Sequence, residues 1–298
     1  MKLPFVILLA FTGIHCGKSV MEKSQESFSQ ANIAPEVIGK QQLLTREVSF
    51  TSNNPDLKRV REFSYDDQDR CTQVIVGTID SSKPAPVLTV SRVLTFFYDG
   101  ASLLPYKAAT VRTVFPNLVT DYFYKYDEKG IKVQDSVRVL NQANEPADRV
   151  VNYQYGKDLI VATPELTGFP IFFNPFDSLF TDNANIIKKV STTPTPNGDQ
   201  VLTFTFEYDK KINPYAAINI YNSLYFTNPA LGIGYNVPTE SHYIGFNRNN
   251  ITAFSLEGFK TVVVYEYDKF KYPVKSETFA EEDPSFKTTT YFTYKDKH

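Results

Sequence analysis

Tryptophan is absent from this sequence, and the residues that most often carry chemistry are scarce, with two cysteines and three histidines among 298 residues. The sequence has no His/Cys spacing typical of zinc, no glycine-rich phosphate loop and no Gly-x-Ser-x-Gly elbow. The formal charge of −2 comes without a basic stripe that could neutralise a phosphate backbone. The sequence therefore predicts no catalytic residues, no metal, no cofactor and no nucleic-acid partner.

Four local features could suggest chemistry, and each has a simpler interpretation. His242 is a lone histidine in a polar stretch, which indicates a surface residue. The acidic run 66–69 lacks the glycine and the distal glutamate of a calcium loop and indicates a solvated turn. Adjacent acids at 281–283, just before a proline, are typical of a water-facing loop. Cys71 lies in a strand-like stretch and is expected to be a small packed residue and not a nucleophile.

Phenylalanine and tyrosine are abundant, with 24 and 19 copies, and part of this load falls in one repeated phrase. The phrase is an aromatic residue, any residue, then tyrosine, followed by Asp, Gly or Lys. Its seven copies have their second tyrosine at Tyr65, Tyr98, Tyr126, Tyr155, Tyr208, Tyr267 and Tyr294. Successive copies lie 33, 28, 29, 53, 59 and 27 residues apart, so two gaps are about double the others. A unit of about 28 residues corresponds to two strands with their turns.

Each copy of the phrase has the pattern of a strand end followed by a hairpin turn. In the segment 201–208, large apolar residues alternate with smaller or more polar ones at a period of two. At Asp127–Gly130, the aspartate can accept hydrogen bonds from later amides, and the glycine suits a type I turn with a bulge. The acidic residue of the phrase therefore needs no catalytic explanation.

The fold class predicted from these patterns is all-β, an antiparallel meander of repeated hairpins curled into a barrel or half-barrel. Fifteen strands are expected, near 46–52, 58–66, 71–79, 88–98, 107–115, 119–127, 131–140, 149–156, 158–163, 186–193, 199–209, 251–256, 260–268, 273–280 and 287–295.

Two segments interrupt the hairpin rhythm and coincide with the doubled gaps: 163–184 and 213–249. Both are predicted to be long aromatic loops, which are common binding elements on rigid sheets. In the second loop, rings that can stack on a sugar stand beside amides that can pair with its hydroxyl groups. The candidate ligand-binding residues are Tyr215, Asn219, Tyr221, Asn222, Tyr225, Phe226, Tyr235, Tyr243, Phe246 and Asn247. Caps that plug an open end of the sheet are the alternative for both loops.

The N-terminal residues have the pattern of an export signal. One lysine precedes an apolar run from Leu3 to Phe11, and this run is too short for a membrane span. The cysteine that follows looks like the end of a bacterial lipobox, which implies acylation of Cys16; cleavage by an ordinary signal peptidase near Gly17 is the alternative. We expect a lipoprotein signal peptide at 1–15, a polar tether at 16–45 and the β domain at 46–298.

Three stretches, Phe204–Tyr215, Asn249–Thr252 and Tyr265–Lys275, resemble an uncharacterised family of Bacteroidota lipoproteins, a domain of unknown function with a porin-like fold. The hairpins are also similar to the YD repeats of large bacterial surface proteins. The resemblance covers roughly 46–298 and implies a lipid-anchored protein of the outer membrane, facing the periplasm or the cell surface. It carries no functional residues over to this chain.

Three functions are compatible with this sequence. The first is a non-catalytic binding module for a glycan or an apolar molecule. The second is a structural or assembly component of the outer membrane. The third is an unrecognised hydrolase, which would require two carboxylates that converge in a cleft.

Overall fold

The computed structural model describes residues 42–128, 130–140, 146–166, 176–183, 185–193, 195–215 and 248–297. In these residues, sixteen antiparallel strands form one closed barrel. The strands are β1 Gln42–Thr51, β2 Asn54–Tyr65, β3 Cys71–Asp80, β4 Leu88–Tyr98, β5 Pro105–Arg112, β6 Phe115–Tyr126, β7 Lys132–Leu140, β8 Pro146–Tyr155, β9 Leu159–Leu166, β10 Phe176–Asp182, β11 Asn185–Thr193, β12 Gln200–Tyr208, β13 Ile251–Leu256, β14 Phe259–Tyr267, β15 Pro273–Ala280 and β16 Asp283–Asp296.

Closure joins the first strand to the last. β1 pairs with β16 from Gln42 opposite Asp296 to Thr51 opposite Thr288, and every other strand pairs with its neighbours in sequence. A closed meander leaves no strand edge exposed for pairing with another chain. The predicted antiparallel meander is confirmed, and of the two predicted forms the closed barrel is the one observed. Among the described residues, no helix has the length and apolar character needed to cross a membrane.

The period-two pattern places the aromatic face of the strands inside the barrel. Phe63, Phe96 and Phe206 are at most 6% exposed and belong to two hydrophobic clusters that line the lumen. Residues of the opposite face are open to the outside, as with Val264 at 52% and Tyr291 at 46% exposure. The pleat explains the division, because successive side chains of a strand point to opposite faces.

The outer wall carries ion pairs between charged side chains, within β15 and between neighbouring strands. Lys275 Nζ lies 2.8 Å from Glu266 Oε1 and 3.2 Å from Glu277 Oε1, and Lys287 Nζ lies 2.8 Å from Glu277 Oε2. On the far side of the barrel, Lys107–Asp121 is a further pair at 3.0 Å. These charges lie within the strands and not only at the turns.

The repeated tyrosines lie at one end of the barrel, where their hydroxyl groups join neighbouring strands. In six of the seven copies, the second tyrosine lies at or near the end of an even-numbered strand, and its hydroxyl donates to a carbonyl near the start of the preceding strand. These bonds are Tyr65 to Leu44 at 2.7 Å, Tyr98 to Cys71 at 2.7 Å, Tyr126 to Pro105 at 2.9 Å, Tyr155 to Lys132 at 2.7 Å, Tyr208 to Ile186 at 2.6 Å and Tyr294 to Pro273 at 2.7 Å. We call this end of the molecule the tyrosine end.

The copy at Tyr265–Tyr267 departs from this arrangement in an informative way. Its first tyrosine, Tyr265, makes the carbonyl bond, to Ile251 at 3.1 Å. Its second tyrosine, Tyr267, donates instead to the Asp209 carboxylate. The Tyr267 hydroxyl therefore bonds to the segment that follows β12, which begins at Asp209.

The aspartate of the phrase organises the turn, as predicted. Asp127 Oδ1 accepts from Ile131 N at 2.8 Å, and Gly130 has a φ of 76°. The turn that starts at Asp66 has the same form, with hydrogen bonds from Gln68 N and Arg70 N to Oδ1 at 3.0 Å. Both are type I turns with a bulge, so the acidic run 66–69 is confirmed as a turn.

The prediction of a loop over 163–184 was wrong for part of that segment. β9 extends to Leu166, and Phe176–Asp182 forms β10, which pairs with β9 and β11. The repeat hides this strand because it ends in Phe180-Thr181-Asp182, without the tyrosine. The doubled gap of 53 residues therefore contains two hairpins, and only one of them carries the phrase. Residues 167–175 lie outside the described residues.

Candidate ligand-binding site

The chain leaves the barrel wall after β12 through a short, tightly bonded segment at the tyrosine end. We call residues 209–215 and 248–250 the neck. Asp209 N donates to Asn250 O at 3.1 Å, and Asn250 N donates to Asp209 Oδ1 at 3.2 Å. Asn249 and Asn185 exchange two further bonds at 3.0 Å. The neck brings the two ends of residues 216–247 together at one place on the barrel.

The first part of the neck turns inward at its end, Tyr215. Asn213 is buried, and its side-chain oxygen accepts from Tyr215 N at 3.0 Å, an Asx turn that redirects the chain. Tyr215 is only 9% exposed and packs in the lumenal cluster that also contains Leu44 and Phe63. Its ring therefore lies inside the barrel.

The hydroxyl of Tyr215 joins a buried ion pair. It donates to Glu47 on β1, and Glu47 Oε2 lies 3.2 Å from Arg61 Nη1 on β2. Glu47 and Arg61 are direct partners in the sheet register, so both side chains share the lumenal face. Removing one member of such a pair leaves the other charge buried without compensation.

A cavity of about 80 Å³ lies beside this network. It is enclosed by the neck, by β1 and by β12 to β16, and its wall mixes four kinds of group. The rings are Phe206, Tyr215, Phe254, Tyr265 and Phe292; the hydroxyl-bearing residues are Ser276, Thr278 and Thr290; the amides are Asn213 and Asn250; the carboxylate is Glu47. Pro214, Ile251, Val263 and Pro273 complete the lining.

This lining can stack on a ligand and hydrogen-bond to it. Rings present flat apolar surface, while hydroxyl and amide groups both donate and accept. Glu47 is the one acidic residue among the described residues that line the cavity, and it is already held by Arg61 and Tyr215. The two converging carboxylates expected for a hydrolase do not occur in this lining.

A second polar cluster lies on the opposite side of the lumen. Lys132 Nζ and Asp135 Oδ2 form a buried pair at 3.1 Å, and the Tyr153 hydroxyl donates to the same carboxylate oxygen. Burial lowers the pKa of Lys132, while Asp135 acts in the opposite direction. Lys189 Nζ and buried Asp177 form a similar pair at 2.9 Å. Asp135 is opposite Val151 and Asp177 is opposite Ala162, so both carboxylates share the lumenal face with the buried cluster.

Of the ten predicted ligand-binding residues, the structure describes only Tyr215, which lines the cavity. The other nine, between Asn219 and Asn247, lie outside the described residues, as do Cys16 and His242. Cys71 is buried, and burial raises the pKa of its thiol to about 12, so the expectation of an unreactive packed cysteine is confirmed. No group of three metal-ligating side chains occurs within the described ranges.

Four residues of the site and its supporting network were not predicted from the sequence: Glu47, Arg61, Asn213 and Asn250. A signal for the first two was present, since each is a charged residue at an inward position of a strand. Asn213 stands before Pro214 at the start of the neck, where an Asx turn is favoured. Nothing in the spacing indicated that Asn250 lies against Asp209, 41 residues earlier.

The barrel is similar to two solved structures. One is a porin-like protein from Bacteroides uniformis ATCC 8492, with 12% identity, a TM-score of 0.51 and coverage of 85% of this chain and 96% of that chain. The other is a porin-like protein from Bacteroides vulgatus ATCC 8482, with 13% identity, a TM-score of 0.50 and coverage of 86% and 99%. No protein-family model and no curated protein matches the sequence. At this identity the likeness shows the fold alone, so the porin-like fold is confirmed and membership of the lipoprotein family stays a prediction.

Proposed function

We propose that this chain is a non-catalytic binding protein of the bacterial cell envelope, an outer-membrane lipoprotein anchored through Cys16 that binds a glycan within its barrel. The barrel stands in water in this proposal, and the lipid chains on Cys16 hold the protein at the membrane. The observation that carries the binding function is the lumenal cavity, where rings alternate with hydroxyl and amide groups beside Tyr215.

The outer wall supports a barrel that stands in water. A lysine or arginine on the lipid-facing side of a membrane barrel costs about 2–4 kcal/mol near the bilayer midplane. Here Lys275, Glu277 and Asp121 lie in the middle parts of their strands, where each forms an ion pair with a neighbouring strand on the outer wall. Charged pairs are common on a wall that faces water, whereas lipid-facing walls of membrane barrels are apolar.

The composition of the cavity favours a glycan over an apolar ligand. An apolar molecule could offer no hydrogen bond to the Ser276 and Thr278 hydroxyl groups of the lining, which is unfavourable inside a protein. The hydroxyl and amide groups of the cavity suit the hydroxylated edge of a sugar.

Thr278→Val tests the binding function, because it replaces a cavity hydroxyl with a methyl group of similar size. The matched control is Thr203→Val, the same change on the outer wall of β12, opposite Val190. We expect a glycan array to retain the parent protein and Thr203→Val alike and to retain Thr278→Val at least about tenfold more weakly. Equal retention of the two variants, or no retained glycan for the parent, would contradict the proposal.

The lipid anchor is tested separately by palmitate labelling of cells that produce the parent protein or Cys16→Ala. We expect the variant to lose both the label and its membrane association. Unchanged label and unchanged partitioning would show that the anchor is assigned wrongly, whatever the lumen binds.

A structural role is the second candidate, and the burial of Tyr215 favours it. A ring that packs against the core and donates to Glu47 could serve only to plug the tyrosine end. In that case Tyr215→Ala lowers stability by about 2–4 kcal/mol, and no glycan is retained by any form of the protein.

A further inference from the structure

We propose that the ligand of the lumenal cavity is an extended neutral sugar chain, held along the inner face of β15 and β16 by the hydroxyl groups of Ser276, Thr278 and Thr288. We call these three residues the hydroxyl track. The inference rests on the proposed binding of a glycan. It adds the form of that ligand, a chain that continues beyond the cavity in the direction away from the tyrosine end.

The sheet register places the hydroxyl track on one face of two neighbouring strands. Ser276 is opposite Thr290, and Thr278 is opposite Thr288, in the ladder between β15 and β16. Ser276, Thr278 and Thr290 line the cavity, so the pleat directs Thr288 into the lumen as well. Thr288 precedes Thr290 by two positions on β16, which places it about 7 Å farther from the tyrosine end. The track therefore starts in the cavity and continues past it.

Ser276 is the member of the track that most directly indicates a ligand. Its side chain is only 5% exposed and lines the cavity, yet its hydroxyl forms no hydrogen bond with any residue that the structure describes. The hydroxyl groups of Thr278 and Thr288 also have no hydrogen-bond partner among the described residues. A hydroxyl taken out of water costs free energy unless it gains a hydrogen bond. A ligand that donates and accepts along its length would satisfy all three groups.

The inner wall is accessible along the track. Thr278 and Thr288 are half-buried, and Ala280, two residues beyond Thr278 on the same face, is exposed. Elsewhere in the lumen the inward positions carry large rings, as with Phe206 and Phe254, which are each 6% exposed. The short side chains of the track therefore leave space on this side of the lumen, toward the end of the barrel opposite to the tyrosine end.

A sugar chain matches both parts of this surface. In the cavity, the ring of Phe292 lies on the same face of β16 as Thr290 and offers a flat apolar surface to one sugar unit. Along the track, serine and threonine hydroxyl groups both donate and accept, as the hydroxyl groups of the next unit do. The track carries no charge, which favours a neutral chain over an acidic one.

The test uses a glycan array that carries glucose, galactose, mannose, xylose and N-acetylglucosamine, each as the monosaccharide and as its oligomers up to the hexasaccharide. The full chain is compared with Thr288→Val and with Thr293→Val. The second variant is the matched control, because it makes the same change on the outer wall of the same strand, opposite Arg46. Urea unfolding of each variant shows whether it folds as the parent does.

We expect the parent and Thr293→Val to retain at least one hexasaccharide at least about tenfold more strongly than its monosaccharide. Thr288→Val should retain that hexasaccharide about tenfold more weakly, with a smaller loss for the disaccharide. Thr288→Ala covers the case in which the valine variant does not fold, and we expect the same loss because it also lacks the hydroxyl. Thr288→Ser keeps the hydroxyl and should bind as the parent does.

The failure of this inference differs from the failure of the proposed function. If the parent retains no glycan, the glycan-binding function is wrong, and the inference is wrong with it. If the parent retains monosaccharides and hexasaccharides equally, or if Thr288→Val, Thr288→Ala and Thr293→Val retain the hexasaccharide equally, the extended chain is overturned and glycan binding stands.

Discussion

The Tyr215 hydroxyl donates a hydrogen bond to the Glu47 carboxylate, although the two residues are 168 positions apart in the sequence. Glu47 lies on the first strand, and Tyr215 is the last described residue before residues 216–247. The contact fixes Tyr215 inside the barrel, beside the cavity. It links the barrel seam to the part of the chain where the other predicted ligand-binding residues lie.

The Glu47–Arg61 pair supporting this contact should be costly to break. We expect Arg61→Ala to lower the free energy of unfolding by about 3–5 kcal/mol, since it leaves Glu47 buried beside the Tyr215 hydroxyl without its cation. Arg46→Ala, which removes an exposed arginine from the pair with Glu62, should change it by at most about 1 kcal/mol. Urea unfolding measures both values, and equal losses would contradict the assignment of Glu47 and Arg61 to the lumen.

The tyrosine end should depend on phenol hydroxyls as well as on rings. Tyr98→Phe keeps the ring and removes the donor to Cys71 O, a bond of 2.7 Å. We expect a loss of about 1 kcal/mol from denaturant midpoints, whereas Tyr291→Phe on the outer wall should have no effect. If the two variants unfold at the same midpoint, the hydroxyls do not account for the repeat.

The turn at Asp127 depends on the left-handed conformation of Gly130, with a φ of 76°. A side chain there is strained, and its Cβ would also lie 3.3 Å from Leu104 Cδ1. We expect Gly130→Val to destabilise the barrel by about 1–3 kcal/mol and Asp127→Ala to destabilise it less. Gly156→Ala, at a glycine without positive φ, is the control. A midpoint for Gly130→Val equal to that of the parent would refute the turn geometry.

Alkaline pH should destabilise the fold. The folded pKa of Cys71 is raised to about 12 by burial, from 9.0. Below pH 9 the thiol is protonated in both states; between pH 9 and 12 only the unfolded chain releases the proton, so the free energy of unfolding falls as pH rises. Buried tyrosines such as Tyr155 and Tyr208 act in the same direction, since burial raises their pKa. Stability that stays constant from pH 8 to about 11 would contradict this burial.

Much of the fold was predictable because each hairpin has a local sequence pattern. Period two identified the strands, and the repeated aromatic-x-tyrosine phrase marked the end region of seven of the eight even-numbered strands, where a turn follows. β10 was missed because its end lacks the tyrosine that marks the others. The site was less predictable, because Glu47, Tyr215 and Asn250 converge only through barrel closure and the neck, which no local spacing encodes.

The most direct test of the account asks which side of the barrel meets water and which meets lipid. The sequence has no tryptophan, so Val264→Trp places a single indole on the outer wall in the middle of β14, opposite Glu277. Fluorescence is then recorded for the full-length variant in native membranes and after reconstitution into vesicles with brominated lipids. A barrel that stands in water should give emission close to that of indole in water, strong quenching by acrylamide and none by the brominated lipids. Blue-shifted emission that is quenched by the brominated lipids would place the wall in the bilayer and contradict the account.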